Sequence, residues 1–418
     1  MSSPSSFNLL RRSRLRYPLV RMGIALRYPD FRVLWLSTVS NQLGWGMQQV
    51  LLGWLVFEMT GNAGMVGAIF AARSAPNLVV GLVAGSITDR FDRRVIMRIS
   101  CIVMLLLSLL ASWLVYQENL SIVLLLTAAF LLGAAQAFYM TARQVYVYDI
   151  VGGHRAINGI ALVSLAQWIG GIIGSLATGA LIAWQGPAAA FLLMGITYGV
   201  GTAIMGRLRH AGTSAPVERE PIFENLLNYF RALKNNRAML SLIISTAGAE
   251  VLGFSHQVML PILAKEVLGV GAFGLGLLTA FRFLGSAVGV FTVAAMERFH
   301  RKGLMLLCII GAFGIGEILL GQSPFFWVAV VCVMFINMLA SATDILHHTL
   351  LQLSVSNEQR GRAMGSWIFG IGMAPVGQLE VGYLAGETNA RTALLVNGAA
   401  LIVLAVVMGF ALPRLRRL

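Results

Sequence analysis

Long apolar stretches, interrupted at short intervals by charge or by Gly, Pro and Asn, dominate the chain. They predict twelve helices, at about 31–57, 63–87, 95–116, 120–142, 156–183, 188–205, 238–263, 270–295, 303–320, 325–351, 362–385 and 393–412. One stretch has a different pattern. Between 206 and 237, Ile222, Leu226, Tyr229, Phe230 and Leu233 recur at helical spacing, while Glu224, Arg231 and Lys234 fall elsewhere. That pattern predicts an amphipathic helix lying along a membrane interface and joining two groups of six spans. The expected organisation is a basic segment 1–30, a six-helix bundle 31–205, the linker 206–237, a second bundle 238–412 and a basic tail 413–418.

Composition agrees with this pattern. Of 418 residues, 57% are hydrophobic and 11% charged, against about a quarter charged in an average soluble domain. The mean hydropathy is +0.78. Twelve spans of roughly 20 residues need about 240 mostly apolar positions, which is close to what the chain holds. A soluble enzyme, a nucleic-acid-binding domain and a disordered chain are excluded, and the expected fold class is an all-α integral membrane protein. Forty-five glycines suit close helix packing.

The net charge of +14 is not a nucleic-acid signal, because the bases cluster between apolar runs. If the N-terminus is cytoplasmic, 27 of the 31 Lys and Arg fall on that side. Only Lys265 and Arg391 fall opposite, and Arg73 and Arg282 lie within helices. This asymmetry predicts a multi-pass protein of the cytoplasmic membrane with both termini in the cytoplasm. The arginine-rich first 30 residues lack the apolar core and small-residue cleavage site of a signal peptide. Cys101, Cys308 and Cys332 lie inside apolar runs without a CxxC pair, so no disulfide, metal site or cofactor is expected.

The two halves repeat. Asp89-Arg90-Phe91-Asp92-Arg93-Arg94 aligns with Glu297-Arg298-Phe299-His300-Arg301-Lys302. Gly67, Ala71 and Arg73 align with Gly276, Ala280 and Arg282. Gly174 to Leu181 align with Gly377 to Leu384, and Gly195 with Gly398. Three matches in the same order indicate a duplicated six-helix unit, a common plan of secondary transporters. The stretch Gly85-Ser86-Ile87-Thr88-Asp89-Arg90-Phe91-Asp92-Arg93-Arg94 resembles the signature between the second and third helices of the major facilitator superfamily. The Asp-Arg-Phe-Asp-Arg-Arg form resembles the branch of enterobactin-type siderophore exporters, macrolide efflux pumps and lysophospholipid transporters. Phe57-Glu58-Met59-Thr60-Gly61, Ala72-Arg73-Ser74-Ala75-Pro76, Thr141-Ala142-Arg143-Gln144 and Gln359-Arg360-Gly361-Arg362 resemble the same branch. The sequence departs from the drug-antiporter pattern at Gly174-Ser175, where Gly-Pro is expected, and at Ala129, where an Arg is expected.

These residues suggest a gate and a site. In the loop signature, Gly85 permits close helix approach and Asp89 can accept hydrogen bonds at a helix N-terminus. The resemblance implies that this terminus belongs to the eleventh helix, near Arg362. Arg90, Arg93 or Arg94 could pair with Asp149 to close the cytoplasmic side. The alternative reading is a positive-inside anchor without a gating role. Arg73, Glu250 and Arg282 sit near helix centres, where a charge costs about 2.5–3.5 kcal/mol unless it faces a partner or a cavity. They are the candidate cargo and coupling residues: the arginines for an anionic or catecholate-like solute, Glu250 for a proton or cationic group. The alternative is a structural Glu250–Arg282 pair. Asp344, His347 and His348, at i, i+3 and i+4, share a face near the cytoplasmic end of the tenth helix and suggest a proton relay or a solvated vestibule. His256, six residues after Glu250 and about 240° around the helix, reads as a lone satisfied histidine. Glu317 and Glu380 lie toward outer helix ends. Gln42, with Asn41, Gln48, Gln49 and Trp45 on the first helix, and Tyr139 with Gln136 on the fourth, are further cavity candidates, some of which must instead join helices.

The expected function is a secondary active transporter that moves a small organic solute across the cytoplasmic membrane by alternating access, as a proton-coupled exporter of the siderophore or amphipathic-drug type. A lysophospholipid transporter of the same fold is the alternative, and a non-transporting sensor or a membrane-embedded enzyme is the alternative of another class. The lysines, Lys234, Lys265 and Lys302, are followed by Asn, Glu and Gly, so no phosphate loop exists. No serine has glycine at both i−2 and i+2, and no HExxH occurs. The expected partners are a small-molecule substrate, protons and membrane lipid, with no nucleic acid, in a monomer.

Overall fold

The computed structural model describes residues 23–212, 237–296, 301–354 and 370–411, without the side chains of 79–86, 89, 237 and 238. The N-terminal segment, most of the linker with its predicted amphipathic helix, Arg298, Arg360, Arg362 and the C-terminal tail lie outside the described residues.

After a short turn at Ile24–Arg27 come α1 (Pro29–Thr60), α2 (Ala63–Arg90), α3 (Arg93–Tyr116), α4 (Ile122–Val151), α5 (Gly153–Gln185) and α6 (Pro187–Met205). Element α7 runs in pieces: Arg237–Gly248, a wide π-type turn Ala249–Gly253, His256–Ile262 and a second such turn Leu263–Val267. Then follow α8 (Gly271–Ala295), α9 (Lys302–Gly321), α10 (Phe326–Leu353), α11 (described from Ala374 to Glu387) and α12 (Ala390–Ala411).

Local chemistry sets the ends. Pro29 occupies the first turn of α1, and Gly61 ends it in the left-handed conformation (φ 59°), donating its N–H to the Phe57 carbonyl. The Asn62 side chain caps α2 by accepting from the N–H groups of Gly64 (2.7 Å) and Met65 (3.3 Å). Asp92 caps α3 through the Arg94 N–H (2.9 Å), and Ser121 caps α4 through that of Leu124 (3.3 Å).

Among the described residues, nine helices are long and apolar enough to cross a membrane: α3 to α10 and α12. The other three carry polar side chains that face inward. On α1, Asn41, Gln42, Gln48 and Gln49 are buried; α2 carries Arg73 and Asn77, and α11 carries Gln378 and Glu380. Large apolar side chains such as Leu106, Trp113, Val123, Phe291, Val331 and Val403 are exposed on the outside, where lipid is the solvent.

Packing follows a two-fold plan. Within the first bundle α1 lies on α5 and α6, α2 on α4, and α3 on α6 and α4. Within the second, α8 lies on α10 and α9 on α12 and α10, the same pairs moved on by six helices. The bundles meet along two seams, α2 with α11 and α5 with α8, and a six-helix shift exchanges these seams.

Close backbone approach makes both seams. A Cβ on Gly67 would stand 2.4 Å from the Gln378 carbonyl and 3.0 Å from the Gly382 Cα. A Cβ on Gly276 would stand 2.7 Å from the Ser175 carbonyl and 3.0 Å from the Gly179 Cα. These are the glycines the repeat aligns: Gly67 with Gly276 and Gly179 with Gly382. All four lie near the helix ends bearing the base-poor loops. Lys265 adds to that closure, its ammonium 5.7 Å from the Trp54 ring and 5.5 Å from the Phe57 ring.

Candidate functional site

Between the bundles lies a cavity of about 320 Å³, lined from both halves by α1, α2, α4, α7, α8, α10 and α11. Arg73 of α2 and Arg282 of α8 reach it from positions equivalent under the repeat. Arg73 stands over the Phe70 ring (5.6 Å) and Arg282 over the Phe283 ring (4.9 Å). Phe283 in turn packs on Trp45 of α1 (5.4 Å, 59°), making an aromatic shelf across the bundles. Among the described residues neither arginine pairs with a carboxylate, and the buried Arg73 Nε has no hydrogen-bond partner. The two guanidinium charges act on each other.

Glu250 and Asp344 line the same cavity. Glu250 sits in the π-type turn of α7, a local widening often found at functional sites. The charge acting on it is that of Asp344, and no Glu250–Arg282 ion pair forms among the described residues. The cavity therefore presents two guanidinium groups and two carboxyl groups, with no ion pair joining them among the described residues.

Several sequence expectations are redrawn. Gln42 and Tyr139 do not line the cavity. Gln42 is buried behind the wall, where it accepts a long hydrogen bond from Gln136 Nε2 (3.5 Å), and Gln136 is the lining residue. Tyr139 is fully buried, its hydroxyl 3.5 Å from Thr38 and its ring under Arg143 (5.6 Å). The Asp344–His347–His348 set separates: Asp344 faces the cavity, whereas His347 is buried and bonds Ser245 on α7 (Nε2 to Oγ 2.8 Å). His256 is satisfied as expected, by Gly253 and Asn337.

In the loop signature it is Arg93 that pairs with Asp149. Arg94 instead binds Asp92 (2.6 Å), and Arg90 is exposed. The Arg93–Asp149 pair joins α3 to α4 inside one bundle. Asp30 adds a clasp in the same half, accepting from the N–H groups of Arg209 (3.2 Å) and His210 (2.9 Å). The described part of the cluster thus ties the base-rich ends of the first bundle together, not one bundle to the other. Gly85 and Asp89 fall in the last turns of α2 with side chains outside the description, and Arg362 lies outside the described residues.

Sequence reading missed Asn77 and Ser286, which line the cavity one helical turn beyond Arg73 and Arg282. The i, i+4 spacing from each arginine, repeated in both halves, is the signal that finds them. Gln378 also lines the cavity, and its Oε1 accepts from Ser74 Oγ (2.6 Å) across the α2–α11 seam.

Among the described residues, twelve helices form two exchangeable bundles around a central cavity lined by charged side chains, the architecture of the major facilitator fold. Solved structures show the same fold. A mutant of the nucleoside transporter NupG superimposes with a TM-score of 0.78 at 14% identity, covering 92% of this chain and 99% of that one. The peptide transporter POT in complex with sulfate gives 0.76 at 12% identity, covering 93% and 95%. The family model described as "transmembrane secretion effector" matches residues 24–417, and the chain belongs to that family. The enterobactin exporter EntS of Citrobacter koseri is 25% identical over 410 residues, spanning 96% of this chain and 95% of the relative. That of Escherichia coli O1:K1 / APEC is 24% identical over 409 residues, with the same coverage. The chain is a membrane transporter and not an enzyme.

Proposed function

We propose that this protein is a secondary active exporter of the cytoplasmic membrane, with both termini cytoplasmic, that moves an anionic aromatic solute of the siderophore class by alternating access in exchange for protons. The observation that carries the reading is the arginine pair. Two guanidinium groups share one cavity, each lies over an aromatic ring, and neither has a carboxylate partner among the described residues. Their mutual repulsion within the membrane-spanning bundles favours an anion between them. The Trp45–Phe283 shelf offers an aromatic cargo a stacking surface. Similarity to enterobactin exporters supports the same class. Glu250 and Asp344 are the cavity's carboxylates for a coupling proton. The cavity volume is at the low end for ligand pockets, so a full siderophore needs the bundles to part further than they do here.

A lysophospholipid is the second reading. A crevice of about 400 Å³ between α8, α9 and α10 is lined almost wholly by apolar groups, including Met296, Met305, Cys308 and Met338, and suits an acyl chain. Proteoliposome flux tests both. With an imposed pH gradient, a labelled catecholate siderophore moves in wild type, and Arg73→Gln and Arg282→Gln abolish the flux. Movement of labelled lysophosphatidylglycerol instead, with no siderophore flux, refutes the first reading in favour of the second.

A further inference from the structure

The cavity does not account for all the buried polar groups of the second bundle. Glu317, near the base-poor end of α9, is wholly buried, and neither carboxylate oxygen has a hydrogen-bond partner among the described residues. Its surroundings are held tightly by α12: a Cβ on Gly398 would stand 3.2 Å from the Glu317 Cβ. The adjacent Asn397 donates through Nδ2 to Ser255 Oγ on α7 (3.1 Å) and to Glu380 Oε2 on α11 (3.1 Å), while its buried Oδ1 has no partner.

His256 Nδ1 lies 3.7 Å from Glu317 Oε1, yet its hydrogen bonds point elsewhere. Nδ1 donates to the Gly253 carbonyl (2.7 Å), and Nε2 accepts from Asn337 Nδ2 (3.2 Å). Asn337 Nδ2 also donates to the Val333 carbonyl (2.9 Å), which fixes the amide's orientation. The imidazole is thus satisfied as a neutral tautomer and gives Glu317 no counter-charge. Phe313 closes the pocket from α9, its ring edge-on to His256 (5.9 Å).

Burying a charged carboxylate with neither hydrogen bond nor counter-charge is strongly unfavourable. Among the described residues this pocket, walled by α7, α9, α11 and α12, holds more acceptor oxygens than its donors, all committed elsewhere, can satisfy. We infer that Glu317 is a proton-binding site of the second bundle, separate from the cargo cavity, and that His256 and Asn337 join it to the cavity wall. A proton on Glu317 removes the charge and supplies the missing donor. The titratable groups facing it are His256 on α7 and Glu380 on α11; α10 and α12 present the amides Asn337 and Asn397. Arg282 on α8 acts on His256 from the cavity side. Glu380 is partly exposed, and its charge acts on Glu317, so it stands at the pocket's other end. Asn337 lines the cavity. Glu317 faces the Nδ1 side of His256, whose proton is already given to Gly253, so the ring acts as a fixed hydrogen-bonded link from Glu317 to Asn337, a side chain that cargo can touch.

This deepens the proton-exchange part of the proposed function, but its test uses no cargo, so the two readings fail separately. Dicyclohexylcarbodiimide attaches to protonated carboxyls in apolar surroundings. The full chain in detergent micelles is treated over a range of pH and mapped by peptide mass spectrometry. The expected result is modification of Glu317 that declines as pH rises, is not prevented by sodium chloride and is lost in Glu317→Gln. The wild-type pH series stands even if that variant folds poorly. A Glu317 left unmodified at every pH while Glu250 or Asp344 reacts overturns the inference, as does protection by sodium. Infrared spectra provide a check that does not depend on reagent entry. The carboxylic-acid carbonyl band must weaken in Glu317→Gln, and an unchanged band also overturns the inference.

Discussion

Adding one methyl group at either glycine seam should open the base-poor face. In Gly67→Ala the new carbon meets the Gln378 carbonyl at 2.4 Å, and in Gly276→Ala the Ser175 carbonyl at 2.7 Å. Both neighbours are backbone on a packed helix and cannot swing aside as a flexible side chain would. Overpacking of this kind costs roughly 1–3 kcal/mol. The cost falls only on arrangements in which the seam is closed, so a two-state equilibrium shifts by about 5- to 150-fold toward the opened state. Because the seams are equivalent, the two single variants should act alike and the double variant more strongly. The assay is a spin-label distance across the bundles, with Asn119→Cys and Gln322→Cys at exposed positions on that face. Cys101, Cys308 and Cys332 are first replaced. The closed distance should lose population to a longer one in each alanine variant. Identical distance distributions in folded wild type, Gly67→Ala and Gly276→Ala would refute the claim that these contacts hold the face shut.

Two further outcomes concern the base-rich end. Arg93→Ala removes the partner of Asp149 from a site where the Arg93 side chain is 3% exposed and that of Asp149 22%. It should destabilise the protein toward the lower end of the roughly 3–5 kcal/mol seen for broken buried pairs, and adding Asp149→Ala should cost less than the sum of the singles; strict additivity in thermal melts would show that the pair is not coupled. The Arg94 guanidinium bonded to Asp92 holds that carboxyl below its ordinary value. A lowered folded-state value means stability that is present above the ordinary carboxylate range and lost as pH falls through the lowered value. Asp92→Asn, which keeps the helix cap, should therefore melt below wild type at neutral pH and converge with it in acid; a gap that persists or widens in acid would contradict the assignment.

The sequence patterns locate the helices well but describe α7 and α4 incompletely. Hydropathy sees Met239–Val267 as one span, yet two wide turns break it, one of them carrying Glu250. Such turns change the backbone register without changing composition, so no periodicity reports them. Element α4 runs on to Val151, nine residues past its apolar run, because Arg143, Tyr146 and Ile150 are buried against neighbouring segments. The internal repeat was the most informative signal. From the sequence alone it aligns Arg73 with Arg282 and the two pairs of seam glycines. It could not tell which polar side chains reach the cavity. On the crowded first and fourth helices, Gln42 and Tyr139 differ from Gln48 and Gln136 by the rotation of each helix against its neighbours. Nor could it show that Glu317, Glu380, Asn397 and His256, drawn from four helices, belong to one pocket.

The arginine pair can be tested most directly by calorimetric binding of a catecholate siderophore to the purified wild type, Arg73→Gln, Arg282→Gln and the double variant. A charge-assisted hydrogen bond contributes about 1.5–3 kcal/mol, so each single variant should bind roughly 10- to 150-fold more weakly. Because both groups hold the same anion, the double variant should lose less than the product of the two factors. Wild-type affinity in both single variants would contradict the account.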